Sequence, residues 1–128
     1  MSTTDATAKL VMTPEVLGIV PQAPLEVALR MMAEAGVRHL LVADQGRCVG
    51  LLHESDVLWR LWSTATAMPP PVRAVARTPM AVVGVSDDVH VIARAMVDAE
   101  TDAAVVAHDG RIAGIVTATD LLRRLATE

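Results

Sequence analysis

The sequence predicts an α/β fold made of two copies of one β-α-β-β-α unit, related by a pseudo-twofold. Three observations carry that prediction. Shifting the chain by 64 residues aligns Val27–Leu61 with Val91–Leu125, and 13 of the 35 pairs are identical, where this composition gives about three by chance. Within each copy the apolar residues pass from short strand-like runs to helical spacing and back, in the same order. The 128 residues suffice for one compact domain or two half-size units sharing a core.

Each element has its own warrant. Short apolar runs, Leu17–Val20 and Ala81–Val85, predict the first strands. Pro24 suits the first turn of the helix that follows, and Ser86 is the expected N-cap of its counterpart. Leu25, Ala28, Leu29 and Met32 keep helical spacing in one copy, as do Val89, Ile92, Ala93 and Met96 in the other. Gly36 can end the first helix. Two strands follow, His39–Ala43 and Cys48–Leu52, joined by Asp44-Gln45-Gly46, with glycine where φ must be positive. The second copy repeats that turn as His108-Asp109-Gly110, and the last helices begin near Ser55 and Thr119.

The expected organisation is a mobile tail over residues 1–8, a first repeat over 9–62, a stiff proline-rich linker over 63–71 and a second repeat over 72–126. Pro69-Pro70-Pro71 forbids continuous helix there.

Composition narrows the function classes. Hydrophobic residues make up 52% of the chain and mean hydropathy is +0.41, which argues against a disordered chain. Aromatics are confined to Trp59 and Trp62, so the core is built from Ala, Val, Leu, Ile and Met. Small cores of this kind gain stability by burying more surface in an oligomer. Net charge is −4 with no basic stripe, which speaks against nucleic acid and anionic membranes as partners. No apolar run approaches the ~18 residues of a membrane span, and the first residues carry no signal-peptide core. The single cysteine, Cys48, cannot form an internal disulfide, in keeping with a reducing cytoplasm. Its apolar surroundings favour a buried, inert thiol.

The repeated phrase "GLLHESD" (Gly50–Asp56) and "GIVTATD" (Gly114–Asp120) keeps its glycine and aspartate and changes the polar residues between. Thr117-Ala118-Thr119-Asp120 has the form of a capping box, which needs no ligand. It also offers a carboxylate that can accept from two vicinal hydroxyls, and hydroxyls beside a helix start, where unpaired N–H groups favour an anion. The two roles can share one helix start. The copy with His53 cannot form that box from its first residue, yet it retains Asp56.

Order, spacing and duplication together resemble a cystathionine-β-synthase (CBS) domain pair, or Bateman module, of the small stand-alone kind. The resemblance covers about residues 9–126. It rests on "VMTP" (Val11–Pro14) and "RTPM" (Arg77–Met80), on "HLLVADQGRCVGLL" and "AAVVAHDGRIAGIV" across the hairpins, and on the helix starts that follow. It implies a non-catalytic sensor of an adenosine-containing ligand (AMP, ADP, ATP or S-adenosylmethionine) held between the repeats. No cofactor is required for such a role. It further implies a homodimer made by the helices, and a protein partner that reads the ligand-dependent state.

Carried over residue by residue, the resemblance puts Asp120 on ribose, with Thr117 and Thr119 toward phosphate. Arg38 and His39 would approach those phosphates from the other repeat, and Thr78, Val83 and Ile115 would line the adenine. The second, weaker site would use Asp56 and Ser55, with His53 in place of threonine and the carboxylate of Asp102 nearby. Arg38 also reads as a solvated surface residue, and His39 as packing.

Rival readings are a dimerisation or interaction module without ligand binding, and a redox or metal protein using Cys48 and the histidines. His39, His53, His90 and His108 show no metal-ligand spacing, so no metal is expected. No Ser/His/Asp arrangement stands out, so no catalytic residue is assigned. Trp59 and Trp62 share one helix face and suit packing or a subunit contact.

Overall fold

The computed structural model describes residues 6–63 and 68–127. Residues 1–5 of the expected tail and 64–67 of the expected linker lie outside them. The elements in chain order are α1 (Ala8–Val11), β1 (Gly18–Ile19), α2 (Leu25–Ala35), β2 (His39–Asp44), β3 (Arg47–His53) and α3 (Glu54–Ser63). After a short 3-10 turn at Val72–Ala74 come β4 (Val82–Gly84), α4 (Val89–Asp98), β5 (Ala103–His108), β6 (Arg111–Thr117) and α5 (Ala118–Ala126).

The chain divides into two compact units, Leu17–Pro79 and Met1–Val16 with Met80–Glu128. Each holds a three-stranded mixed sheet, β1-β2-β3 in one and β4-β5-β6 in the other. The first pair of each sheet is parallel and the second antiparallel. A helix crosses over between the parallel strands, as parallel pairing requires. The hairpins share even their irregularity: register shifts between Val42 and Ala43 in one and between Val106 and Ala107 in the other, 64 residues on.

Turn chemistry sets these hairpins. Gln45 and Gly46 have φ of 51° and 79°, and Asp109 and Gly110 have 51° and 76°. Two successive positive φ values make the tight turn whose twist matches the flanking strands. Gly36 ends α2 in the left-handed conformation.

Helical spacing becomes core. In the Leu17–Pro79 unit, Leu25, Ala28 and Met32 of α2 pack with Leu40, Val42, Leu52 and Val57. In the other unit Ile92 and Met96 of α4 pack with Ala104, Val106 and Val116. Alanine replaces leucine at the position of Leu40, and Ala8 of α1 is buried in that thinner core.

Several boundaries differ from the sequence reading. The N-cap of α4 is Asp88, not Ser86: its side chain accepts from the N–H groups of His90 and Val91. The charged carboxylate of Asp88, two residues on, takes the role that the Ser86 hydroxyl could have filled. Pro24 stands one place before the first helical residue of α2, and the last helices begin one residue early, at Glu54 and Ala118. Residues 6–8, assigned above to the tail, are anchored. Ala6 and Ala8 are fully buried, Val89 N donates to Ala6 O, and Ala8 N donates to Asp87 O.

The segment ahead of each repeat's first strand joins a sheet edge. Thr13 and Ile115 exchange backbone hydrogen bonds at 2.9 and 3.0 Å, and Arg77 and Leu51 do so at 2.9 and 3.1 Å. The leader of the first repeat therefore belongs to the unit of the second repeat's strands. The leader at Arg77 serves the first repeat's sheet.

Candidate functional site

Both copies of the repeated phrase end a strand and open a helix, so the sheet fixes where the helix N-terminus starts. The carbonyl of the residue before β2, Arg38, accepts from Glu54 N at 2.9 Å. The carbonyl before β5, Asp102, accepts from Ala118 N at 2.7 Å. Each bond ties the start of the middle strand to the first helical N–H of its own unit.

At α5 the sequence forms the capping box it predicts. Asp120 N donates to Thr117 Oγ1 at 3.2 Å, and Thr117 N donates to Asp120 Oδ2 at 2.8 Å. Such a cap stabilises a helix by about 1 kcal/mol. The bond is made through Oδ2, so a carboxylate with about four lone-pair sites keeps capacity for further donors. Thr119, in the first turn, is exposed, and Thr117 and Asp120 are half-buried. Ile115 lies two residues upstream in β6, and Val83 is buried in the core of this unit.

At α3 the same positions are wired differently. Arg77 Nε donates to Asp56 Oδ2 at 2.7 Å and Nη2 to Oδ1 at 3.1 Å. The guanidinium thus spans both carboxylate oxygens in the planar fork that makes such pairs strong and directional. The side chains of Arg77 and Asp56 are 41% and 31% exposed, so the pair contributes no more than about 1 kcal/mol to stability.

His53 is 3% exposed in β3 and faces His39 across the ladder, the rings edge-on with centroids 4.8 Å apart. The matching pair in the other unit is Thr117 and Ala103. Ser55 is exposed.

The structure thus brings Thr117, Thr119, Asp120, Ile115 and Val83 into one unit. Arg38, His39, Thr78, His53, Ser55 and Asp56 belong to the other. Arg77 was not among the predicted site residues. A signal was present: a shift of 65 aligns Thr13-Pro14 with Thr78-Pro79 and so pairs Arg77 with Met12, a charge in one copy only.

The kept glycines have a structural reason. A Cβ at Gly114 would lie 2.6 Å from Thr13 O and 2.7 Å from Met12 Sδ. One at Gly50 would meet Ala76 Cβ and Arg77 O at 3.2 Å. The glycines let the leader segments close on β6 and β3.

Cys48 is half-buried, and its thiol donates to Gly50 O at 3.5 Å. Burial pushes its pKa above the ordinary value, against a smaller lowering by that hydrogen bond. This is the environment of an unreactive thiol.

Trp59 and Trp62 pack on each other with ring centroids 5.6 Å apart, yet are 66% and 76% exposed. Leu58 beside them is 50% exposed. No helix among the described residues is long and apolar enough to cross a membrane.

Comparison with known proteins agrees with this architecture. A conserved protein from Pyrococcus horikoshii has a structure matching at TM-score 0.84 and 28% identity, covering 98% of this chain and 95% of its own. The conserved CBS domain protein TA0289 from Thermoplasma acidophilum matches at TM-score 0.82 and 29% identity, over 92% of this chain and 68% of its own. The CBS domain pair of protein MJ0100, in complex with 5′-methylthioadenosine and S-adenosyl-L-methionine, shares the fold at TM-score 0.85 and 17% identity, over 95% and 97%. No curated protein sequence gives a significant match. The sequence matches the CBS domain family over residues 8–63 and again over 72–127. The chain belongs to the CBS domain family, and carries two such domains in tandem.

Proposed function

We propose that this CBS pair is a non-catalytic regulatory module that binds an adenosine-containing ligand, with Asp120 at the main site. The observation that carries this reading is the difference between the two aspartates. Asp120 makes one local capping bond through a single oxygen, beside two threonines, whereas both oxygens of Asp56 already accept from a guanidinium. In this reading the carboxylate of Asp120 accepts from the ribose hydroxyls. Thr117 and Thr119 donate to phosphate oxygens, or to the groups that replace phosphate in S-adenosylmethionine, near the positive end of α5. Arg38, His39 and Thr78, which the family resemblance adds to the ligand set, lie in the other unit and are tested by their own substitutions. The adenosyl complex of MJ0100 supports the ligand class.

Occupancy would act by population shift, favouring one conformation that a protein partner reads. The exposed Leu58, Trp59 and Trp62 on α3 favour a homodimer made by the helices, and the single cysteine favours the cytoplasm as its place of action. Calorimetric titration with AMP, ADP, ATP and S-adenosylmethionine tests the reading. Binding of at least one tighter than about 1 mM is expected. Failure of all four leaves the alternative, a dimerisation module without ligand.

A further inference from the structure

The adenosyl-binding reading gives each repeat one aspartate for ribose, and Arg77 occupies only one of them. We infer that Arg77 is an internal competitor that closes the first repeat's position, so that one chain takes one adenosyl ligand rather than two. This rests on the ligand class proposed above.

Three observations carry it. The fork of Arg77 uses both oxygens of Asp56, at 2.7 and 3.1 Å, and a vicinal diol would have to share them with a cation already in place. A diol would donate to the same carboxylate without the guanidinium's positive charge or its planar pair of N–H groups, so the fork is the better-matched partner. The guanidinium is also delivered from a fixed point. The backbone of Arg77 is held by two hydrogen bonds to Leu51, and its carbonyl lies within 3.2 Å of where a Cβ on Gly50 would be. The backbone is thus ordered before the fork closes, and only the freedom of the Arg77 side chain is lost when it does. Finally, the plug is specific to one repeat. The residue matching Arg77 in the other leader is Met12, whose thioether lies against Gly114 and carries no charge.

Arg77 is therefore the residue that sets stoichiometry and makes the two repeats unequal. Replacing it with its own counterpart, Arg77→Met, releases the Asp56 carboxylate and converts the first repeat into a second binding position. The ion pair is partly exposed and outside the core, so the variant is expected to fold. Arg77→Gln serves as a second, polar replacement.

The experiment is isothermal titration with AMP and, in parallel, S-adenosylmethionine. The proteins are the wild-type chain, Arg77→Met, Arg77→Gln and the double variant Arg77→Met/Asp120→Ala. The expected result is one ligand per wild-type chain, two per Arg77 variant and one per double variant. A wild-type chain that binds none while Arg77→Met binds one also supports the plug, but overturns Asp120 as the main site. One ligand in wild type and one in both Arg77 variants overturns the plug and leaves the Asp120 reading standing. Two ligands in wild type, or weaker binding on loss of Arg77, overturns the plug by making Arg77 a bystander or a phosphate ligand. No binding in any protein overturns both proposals.

Discussion

Thr13 and Gly114 are in such close contact that a single added carbon could not fit between them: a Cβ on Gly114 would sit 2.6 Å from the Thr13 backbone carbonyl oxygen. The glycine repeated 64 residues apart is thus a packing requirement for the leader segments. The prediction is a graded pair. Gly114→Ala, which also pushes on the movable Met12 Sδ at 2.7 Å, lowers stability by about 1–3 kcal/mol, the usual cost of overpacking. Gly50→Ala, with contacts at 3.2 Å, costs less. Urea denaturation of both variants checks the order, and equal or reversed losses would contradict it.

Thr117 and Thr119 separate capping from binding. Thr117→Ala removes the N-cap acceptor of α5 and lowers stability by about 1 kcal/mol. Thr119→Ala touches an exposed hydroxyl outside the capping box and shifts stability by less than about 0.5 kcal/mol. Both substitutions weaken nucleotide binding if the hydroxyls face phosphate. Unchanged affinity in Thr119→Ala, measured by calorimetry, would leave that hydroxyl without a role.

Cys48 makes a pH-dependent contribution to stability. Its folded pKa is raised by burial, so the unfolded chain loses the thiol proton first. The neutral thiol's stabilisation is fully present below the unfolded value of about 8.5 and is lost as pH rises through the folded value. Cys48→Ala, compared with wild type by denaturation between pH 7 and 10, should remove that part of the alkaline decline. An identical decline in both proteins would refute the assignment. In the native protein at pH 8, Cys48 should also react more slowly with iodoacetamide than a solvent-exposed cysteine.

The stacked, exposed indoles of Trp59 and Trp62 predict a partner surface. Trp59→Gln/Trp62→Gln leaves far-ultraviolet circular dichroism intact, because neither ring is in the core. Sedimentation velocity should then show a shift from dimer toward monomer. A variant with the same sedimentation coefficient as wild type would move the interface elsewhere.

What the sequence revealed was local or duplicated. The hairpin turns were legible because Gln45-Gly46 and Asp109-Gly110 carry their turn chemistry within two residues. The cores of α2 and α4 followed from apolar spacing, and the α5 capping box from four consecutive residues. What stayed hidden depends on contacts distant in sequence. The bridge from Thr13 to Ile115 spans most of the chain, and nothing near Arg77 announces Asp56 as its partner. Asp88 displaced Ser86 as a cap because three neighbouring residues, Ser86, Asp87 and Asp88, can all accept from a helix N-terminus. Only the backbone path chooses among them; Asp87 turns back to accept from Gly84 N instead.

Thermal unfolding of wild type and Asp120→Ala, each with and without saturating adenosyl ligand, tests the central claim most directly. A ligand at 100 times its Kd stabilises the native state by about 2.7 kcal/mol, so the wild-type Tm should rise by several degrees. Asp120→Ala should have a somewhat lower Tm from loss of half the capping box, and should gain nothing from ligand. An equal ligand-induced rise in both proteins, or none in wild type with any of the four adenosyl ligands, would contradict Asp120 as the ribose-binding residue.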